Sequence, residues 1–446
     1  MLKASVKKIF IHFFAGKNLK ARSTKGAFIL TIGIGFERAV RLVRNMILAR
    51  LLAPESFGLM GIVMAVIIMM DSVSDIGVRQ SIIHNKAGKD PQYLNAIWWV
   101  SALRSVFLFA ISFFAASLIC RFYGKPQLLW LLRFTFVAVL FNGMLSPRIF
   151  VLQKEFKFVQ STLLIQGSDL LGTLVSIALA LYMRSVWVLA IGFVVQSAFR
   201  CMLSFLFYPI KPNLHINREY FKEVAKFGKG MFGLPFLTVI CLQADVFVLG
   251  KMIPSETLGM YVLASSLAQQ PAILFARTIG SVLLPAFSEK QASTQAIRNA
   301  FIKIIKVALI VGLPGATLAF LFSAPILSVI YGAQYSTMST TFGVLCYAML
   351  LHMFSIILGS IYIGVGKPQL HRYYMLLLTI LILTTLYPGI RLLGTLGAAL
   401  ALLLSYVVAT CVQFKWLHNA IGFGLRDFWW SFSAKMKSTA EIADQC

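Results

Sequence analysis

Long apolar segments alternate with short polar loops along the whole chain. About twenty consecutive apolar residues are enough to cross the hydrocarbon core of a bilayer as an α-helix. The pattern therefore predicts an all-α polytopic membrane protein with about 12 transmembrane helices, at residues 27–52, 57–82, 93–119, 127–148, 159–183, 185–207, 230–252, 258–284, 300–322, 339–363, 371–390 and 395–418.

A short internal repeat relates the two halves of this pattern. Residues 48–60 align without gaps with residues 249–261, an offset of 201 residues, and each copy joins an odd-numbered predicted helix to the next one. Because six predicted helices separate the copies, the repeat is parallel. It predicts two six-helix lobes related by an axis along the membrane normal.

The polar segments complete the predicted organisation. A cytoplasmic linker at residues 211–229 joins the lobes, and its Tyr220, Phe221, Val224 and Phe227 recur at helical spacing between basic residues. This pattern predicts an amphipathic helix on the inner membrane surface. The full division is a basic cytoplasmic tail at 1–26, the N-lobe at 27–210, the linker at 211–229, the C-lobe at 230–418 and a cytoplasmic tail at 419–446.

Composition and charge agree with this interpretation and add the orientation. The chain is 59% apolar with a mean hydropathy of +0.82, outside the range of soluble globular proteins. Its 41 Lys and Arg against 15 Asp and Glu would suggest nucleic-acid binding in a soluble protein. Here 27 of the basic residues lie in segments or helix ends assigned to the cytoplasm, 6 in or beside outside loops, and 8 in the interiors of predicted helices. This asymmetry predicts that both termini are cytoplasmic.

The first predicted helix carries four charged residues near its centre, Glu37, Arg38, Arg41 and Arg44. Four ionised groups there cost on the order of 10–14 kcal/mol, whereas the apolar residues of the helix return only about 4–8 kcal/mol. The four side chains share one helix face, so this face must meet a polar interior. Glu37 and Arg41 have the spacing of an ion pair. Two interpretations stay open: a structural ion-pair network, or a cationic site for an anionic substrate.

Other charged residues within predicted helices are also candidates either for the substrate site or for a structural role. Arg104, in the middle of the third helix, is a further candidate base for the substrate site. Arg133, Arg200 and Arg277 lie close enough to helix ends to reach the membrane surface. Asp75 and Arg79 have the spacing of a structural ion pair.

Any step coupled to proton movement requires an acid, because Arg stays protonated. The candidates for ion coupling are Asp71, Asp169, Asp245 and Glu37. Asp71 and Asp169 have no partner on their own helices, and their alternative role is hydrogen-bonded packing between helices. Asp245 occupies the repeat position of Arg44, which suggests that an acid of one lobe faces a base of the other.

The residue pattern predicts neither a metal site nor a nucleotide cofactor. Five of the 6 Cys lie in or beside predicted helices without the spacing of metal ligands, and the His residues form no cluster in sequence. No Gly-rich phosphate loop follows a strand pattern. The sequence therefore argues against transport driven by ATP bound to this chain.

The two repeat copies resemble the oligosaccharide flippases of the multidrug/oligosaccharidyl-lipid/polysaccharide (MOP) exporter superfamily, in the branch of colanic acid exporters and lipopolysaccharide biosynthesis proteins. The residues that carry this resemblance lie at 48–58, 243–250, 258–261 and 284–288. The resemblance extends to helix number and loop length over nearly the whole chain.

The resemblance implies a transporter and not an enzyme, with a V-shaped pair of lobes around a central cavity that opens alternately to each side. The implied substrate is an undecaprenyl-diphosphate-linked oligosaccharide, moved across the bacterial cytoplasmic membrane for exopolysaccharide, O-antigen or capsule assembly. A cationic cavity that holds the diphosphate is a feature of these flippases, and Arg38, Arg41 and Arg44 fit that role. H⁺ or Na⁺ coupling and a polysaccharide polymerase as partner are also implied.

Two other functions are compatible with a polytopic chain. A membrane glycosyltransferase or polymerase would be expected to present acids and large loops outside, but the longest outside connection, 322–338, carries no charged residue. A multidrug exporter of the same superfamily would be expected to have an acidic or aromatic cavity for cationic drugs. The predicted N-lobe has more intramembrane Arg than acids. The pattern favours the flippase.

Overall fold

The computed structural model describes residues 19–74, 77–155, 157–214, 217–231, 234–289, 294–364 and 367–421, and every regular element in these ranges is helical, which confirms the all-α prediction. A short 3₁₀ helix at Ala333–Met338 accompanies the α-helices. In chain order these are α1 (Leu19–Leu51), α2 (Pro54–Val73), α3 (Val78–His84), α4 (Pro91–Tyr123), α5 (Leu128–Thr135), α6 (Val137–Gly143), α7 (Arg148–Lys154), α8 (Phe158–Tyr182), α9 (Trp187–Phe207), α10 (Arg218–Met231), α11 (Leu234–Met252), α12 (Ser255–Glu289), α13 (Thr294–Leu321), α14 (Ser323–Ile330), α15 (Ser339–Gly364) and α16 (Pro368–Ile421).

The helices are those of a multi-pass membrane protein. Within the described ranges, six are long and apolar enough to cross a bilayer, and the number rises to eight if each of two bent helix pairs forms one crossing. The pairs bend by 55° before α7 and by 75° between α13 and α14. The eleventh and twelfth predicted helices lie together in α16, where Gly394 has a φ of 59° and interrupts the helical geometry. The total of 12 stays a prediction.

One predicted helix is wrong in its length. The second was expected over residues 57–82, but α2 ends at Val73 and α3 begins at Val78. Gly77, with a φ of 62°, precedes α3 in the left-handed conformation that glycine adopts without strain. The 20 residues of α2 can cross the hydrocarbon core without α3.

The chain forms two compact units. The first contains Met1–Leu267 and Leu327–Ser336, and the second contains Ala268–Ile326 and Thr337–Cys446. In the second unit, α15 packs along α16, where Gln413 Nε2 donates to the Ser355 carbonyl oxygen at 3.3 Å and Tyr362 OH donates to the Gln413 carbonyl oxygen at 2.6 Å. The predicted lobe boundaries at 27–210 and 230–418 stay a prediction.

Both copies of the internal repeat form the same local structure in the first unit. Two residues link α1 to α2 and two link α11 to α12. Arg50 Nη2 donates to the Val329 carbonyl oxygen at 2.5 Å, and Lys251, its repeat equivalent, donates to the Phe122 carbonyl oxygen. Each copy therefore uses its cation to hold a carbonyl oxygen of a distant segment.

The linker helix α10 packs on the protein. Val224 is fully buried among Ile82, Tyr93 and neighbouring apolar residues, and Tyr220 OH donates to Asp90 Oδ2 at 2.9 Å. This hydrogen bond raises the pKa of the Tyr220 phenol. The predicted amphipathic helix is present, but at these positions its apolar face contacts α3 and α4 instead of the membrane.

Candidate functional site

The charged face of α1 contains the predicted ion pair. Arg41 Nη2 lies 3.0 Å from Glu37 Oε1, and the Glu37 side chain is 14% exposed, whereas that of Arg41 is 39% exposed. An exposed guanidinium group is too costly to face lipid tails. The open side of Arg41 must therefore meet water or a polar ligand.

Asp169 of α8 joins this face to α9. Its Oδ1 accepts from Arg200 Nη2 and from Gln196 Nε2, both at 2.5 Å, and its Oδ2 lies 3.7 Å from Arg41 Nη2. Asp169 has no charged partner on its own helix, as predicted, but neighbouring helices supply two. The prediction that Arg200 reaches toward the membrane surface is wrong, since its guanidinium group lies inside the bundle on Asp169.

Close helix approaches bring these charges together. At the α1–α8 contact, a Cβ on Gly33 would lie 2.7 Å from Thr162 Cγ2, and Gln166 Nε2 donates to the Gly33 carbonyl oxygen. At the α8–α9 contact, a Cβ on Gly172 would lie 2.6 Å from Gln196 Cβ. Without a side chain at either glycine, α8 can lie against both neighbours and place Asp169 between Arg41 and Arg200.

The remaining arginines of α1 complete an arginine cluster, defined here as Glu37, Arg38, Arg41, Arg44, Asp169 and Arg200. Arg38 is partly buried, and Arg44 donates through Nε and Nη2 to Asn45 Oδ1 at 3.3 and 3.2 Å. Four guanidinium groups accompany two carboxylates, so the cluster carries an excess of two positive charges at neutral pH. This excess suits a ligand with about two negative charges.

Arg104 and Asp71 form a second ionic contact outside the cluster. Arg104 Nη2 donates to Asp71 Oδ1 and, at 3.0 Å, to the Asp71 carbonyl oxygen, while Arg104 Nε donates to Ser74 Oγ at 3.1 Å. The predicted helix 57–82 places Asp71 near its middle, yet Asp71 lies in the last turn of α2 with a side chain 61% exposed. Arg104 lines a cavity of about 310 Å³. The Asp75–Arg79 prediction is not tested, because Asp75 lies outside the described residues.

Asp245 has neutral partners. Its Oδ2 accepts from Tyr261 OH at 2.7 Å and its Oδ1 from the Val246 amide at 2.8 Å, and the residue is 4% exposed. Among the residues whose side chains are described, no Lys, Arg or His lies within ion-pair distance of Asp245, and the side chain of Arg277 is not among them. Asp245 is thus the buried acid whose described neighbours leave its charge uncompensated.

The chain matches the family of polysaccharide biosynthesis proteins over residues 47–340. It belongs to this family. Among curated relatives, it is 23% identical over 393 residues to the lipopolysaccharide biosynthesis protein WzxC of Escherichia coli (strain K12), covering 87% of this chain and 78% of that protein. It is 21% identical over 351 residues to the teichuronic acid biosynthesis protein TuaB of Bacillus subtilis (strain 168), covering 77% and 71%.

Two solved structures show the fold shared by this polysaccharide biosynthesis protein. The lipid II flippase MurJ in its inward closed conformation superposes with a TM-score of 0.75 at 16% identity, covering 90% of this chain and 89% of that chain. An inward-facing multidrug resistance MATE family transporter of the MOP superfamily superposes with a TM-score of 0.67 at 17% identity, covering 89% and 98%. The predicted resemblance is confirmed, in family by the match over residues 47–340 and in fold by these two structures.

Within this polysaccharide biosynthesis protein, sequence reasoning missed two residues that hold Asp169 in place. Arg200 was assigned to the membrane surface, and Gln196 was not singled out. Both stand on the α9 face that meets Asp169, four residues apart, and Gly172 and Gly192 mark the close α8–α9 contact. A search for small residues at helical spacing could have placed these faces together.

Proposed function

We propose that the chain is a flippase that moves a polyprenyl-diphosphate-linked oligosaccharide across the bacterial cytoplasmic membrane, with both termini cytoplasmic, for surface polysaccharide assembly. Its membership of the polysaccharide biosynthesis family and its fold, shared with a lipid II flippase, support this proposal. Undecaprenyl diphosphate is the proposed lipid, alternating access the proposed transport mode, and a polysaccharide polymerase a proposed partner that receives the product.

The observation that carries the proposal is the positive excess of the arginine cluster. Arg presents a planar set of donors that matches phosphate oxygens, and it remains charged at any working pH. The net charge of the cluster, four guanidinium groups against two carboxylates, matches in magnitude the two negative charges of a diphosphate diester. An excess of guanidinium groups on a membrane helix is costly unless water solvates them or an anionic ligand neutralises them.

The contacts of Asp169 indicate which arginine can bind the substrate. Arg200 and Gln196 both contact Asp169 at 2.5 Å, so they hold this carboxylate in place. Arg41 lies farther from Asp169, at 3.7 Å, and keeps an exposed side. The substrate can therefore bind the exposed side of Arg41 while Arg200 and Gln196 keep their hydrogen bonds to Asp169. We assign Arg41 the direct contact, with Arg38 and Arg44 adding charge, and we give Arg200 a positioning role.

Transport by this flippase is proposed to use an H⁺ or Na⁺ gradient. Asp71, Asp169 and Glu37 each contact a guanidinium group, whereas Asp245 has a tyrosine and a backbone amide as described partners. A charged carboxylate that is buried without a cation nearby is costly. Binding of H⁺ or Na⁺ would therefore stabilise Asp245 more than Asp71, Asp169 or Glu37. Asp245 is the preferred coupling residue.

Reconstitution of the purified chain in liposomes tests the proposed function. We expect it to move a fluorescent polyprenyl-diphosphate oligosaccharide between leaflets, measured by the fraction that an impermeant quencher reaches. Extension of the glycan would instead indicate a glycosyltransferase or polymerase, and export of a cationic dye without lipid movement would indicate a multidrug exporter. Either result, with no movement of the lipid-linked glycan, would contradict the proposal.

A further inference from the structure

A cavity with two basic residues lies apart from the arginine cluster, where α4 begins in the first unit. Its volume is about 350 Å³. Arg148 and Lys211 supply its charge, Asn95 is polar, and Leu94, Ile210 and two prolines form an apolar wall. A cavity of this size is within the range of small-ligand sites, which run from about 300 to 1,000 Å³.

Hydrogen bonds between its walls hold this cavity in shape. Asn95 Nδ2 donates to the Asn213 carbonyl oxygen and the Asn213 amide donates to Asn95 Oδ1, both at 2.9 Å. Trp99 Nε1 donates to the same Asn213 oxygen at 2.8 Å. Beside α7, Ser146 Oγ donates to the Tyr208 carbonyl oxygen at 2.6 Å. The segment that carries Ile210 and Lys211 is therefore fixed against α4 and α7.

Three acids on this side of the unit have partners outside the cavity. Glu155 lies 2.8 Å from both Lys89 and Lys157, and Asp90 accepts from Tyr220. Glu223 accepts from Asn85 Nδ2 at 2.9 Å. Across the described ranges, neither Arg148 nor Lys211 lies within ion-pair distance of an acid, so both cations of the cavity can bind an anion.

We infer that this cavity binds the phosphate of an anionic phospholipid headgroup. Arg148 and Lys211 both line the cavity and both donate hydrogen bonds that suit phosphate oxygens, and the apolar wall suits the glycerol and first acyl carbons. The loops at this end hold many of the basic residues and are predicted to be cytoplasmic, the side whose leaflet carries anionic lipid. The inference does not depend on the proposed transport function.

The full chain in detergent, titrated with short-chain lipids, provides the test. We expect short-chain phosphatidylglycerol to raise the melting temperature, and short-chain phosphatidylcholine or inorganic phosphate to have much less effect. Arg148→Gln and Lys211→Gln should each weaken the phosphatidylglycerol affinity about tenfold, the loss expected for one charge-assisted hydrogen bond. Lys222→Gln, which removes an exposed cation of α10 outside the cavity, is the matched control and should bind as the parent does.

Three results would overturn the inference. Unchanged phosphatidylglycerol binding in the Arg148→Gln and Lys211→Gln variants would place the lipid elsewhere. Equal stabilisation by inorganic phosphate would indicate a free-phosphate site without lipid contact. If the Gln variants cannot be purified, Ile210→Glu places a negative charge in the cavity while both cations stay, and binding that survives this change would also contradict the inference.

Discussion

Gly58 and Gly259, equivalent positions of the internal repeat, pack backbone against backbone. A Cβ on Gly58 would overlap the Ser255 carbonyl oxygen and lie 3.0 Å from the Gly259 nitrogen. A Cβ on Gly259 would overlap the Pro54 carbonyl oxygen and lie 2.8 Å from the Gly58 nitrogen. Pro54 and Ser255 are themselves repeat equivalents, so the contact is reciprocal, as around a two-fold axis. The two repeat copies therefore touch each other at the start of α2 and α12.

Alanine at either glycine should push the two helix starts apart. We expect Gly58→Ala and Gly259→Ala each to destabilise the chain by about 1–3 kcal/mol, the usual cost of overpacking, seen as a lower melting temperature. Because both changes disturb one contact, the double variant should lose less than the sum of the single losses. Gly315→Ala in α13, where nothing lies within 4 Å of the added Cβ, is the control. Fully additive losses would contradict a shared contact.

The sequence could predict features that depend on local spacing. The 201-residue repeat identified Gly58 and Gly259 as equivalent, and the four-residue spacing identified the Glu37–Arg41 pair, which is present at 3.0 Å. Neither pattern could show that the two glycines touch, because this contact depends on how helices far apart in the chain pack.

Contacts between helices were harder to predict. The Arg200–Asp169 pair joins residues 31 positions apart on separate helices, and helical periodicity carries no information on which helices meet. Asp71 was placed too deep because the apolar pattern continues past residue 74, although Gly77 signals the break before α3. Glycines that interrupt an apolar segment are therefore the better guide to where such helices end.

The Asp169–Arg200 pair should behave as a structural element. Arg200→Ala leaves Asp169 with Gln196 and the weaker Arg41 contact, and we expect a loss of about 3 kcal/mol in thermal unfolding. The double change Asp169→Asn with Arg200→Gln removes both charges and should recover most of this loss. If the double variant is as unstable as Arg200→Ala, the pair is not what stabilises the α8–α9 contact.

Asp245 should separate substrate binding from ion coupling. Asp245→Asn keeps an oxygen acceptor for the Val246 amide and can donate through its amide nitrogen to the Tyr261 oxygen, but it removes the titratable charge. We expect this variant to bind the lipid-linked glycan as the parent does while its flipping no longer responds to an imposed H⁺ or Na⁺ gradient. Tyr261→Phe, which keeps the acid, is the control and should retain the response. A full gradient response in Asp245→Asn would place coupling at another residue.

The thermal stability of the chain should depend on pH through Glu155, which lies beside Lys157 and Lys89. Hydrogen bonds from Lys157 and Lys89 lower the pKa of this carboxyl group from 4.5 to about 2. Because the folded pKa is depressed, the stabilisation is complete above pH 4.5 and is lost as the pH falls toward 2. Glu155→Gln should therefore melt below the parent at neutral pH, and the difference should vanish at acidic pH. A constant difference at all pH values would contradict this ionic role.

The affinity for a polyprenyl-diphosphate glycan tests the central assignment of Arg41 most directly. We expect Arg41→Ala to raise the dissociation constant about ten- to a hundredfold. Arg41→Lys should recover only part of this loss, because Lys lacks the planar set of donors that Arg offers to phosphate. Arg391→Ala, which removes an exposed arginine of α16, should bind as the parent does. The combined Glu37→Gln and Arg41→Gln variant removes both charges of that pair and leaves Asp169 with Arg200, so it should be stable and still bind poorly. Parental affinity in that stable variant would show that Arg41 belongs to a structural network and not to the substrate site.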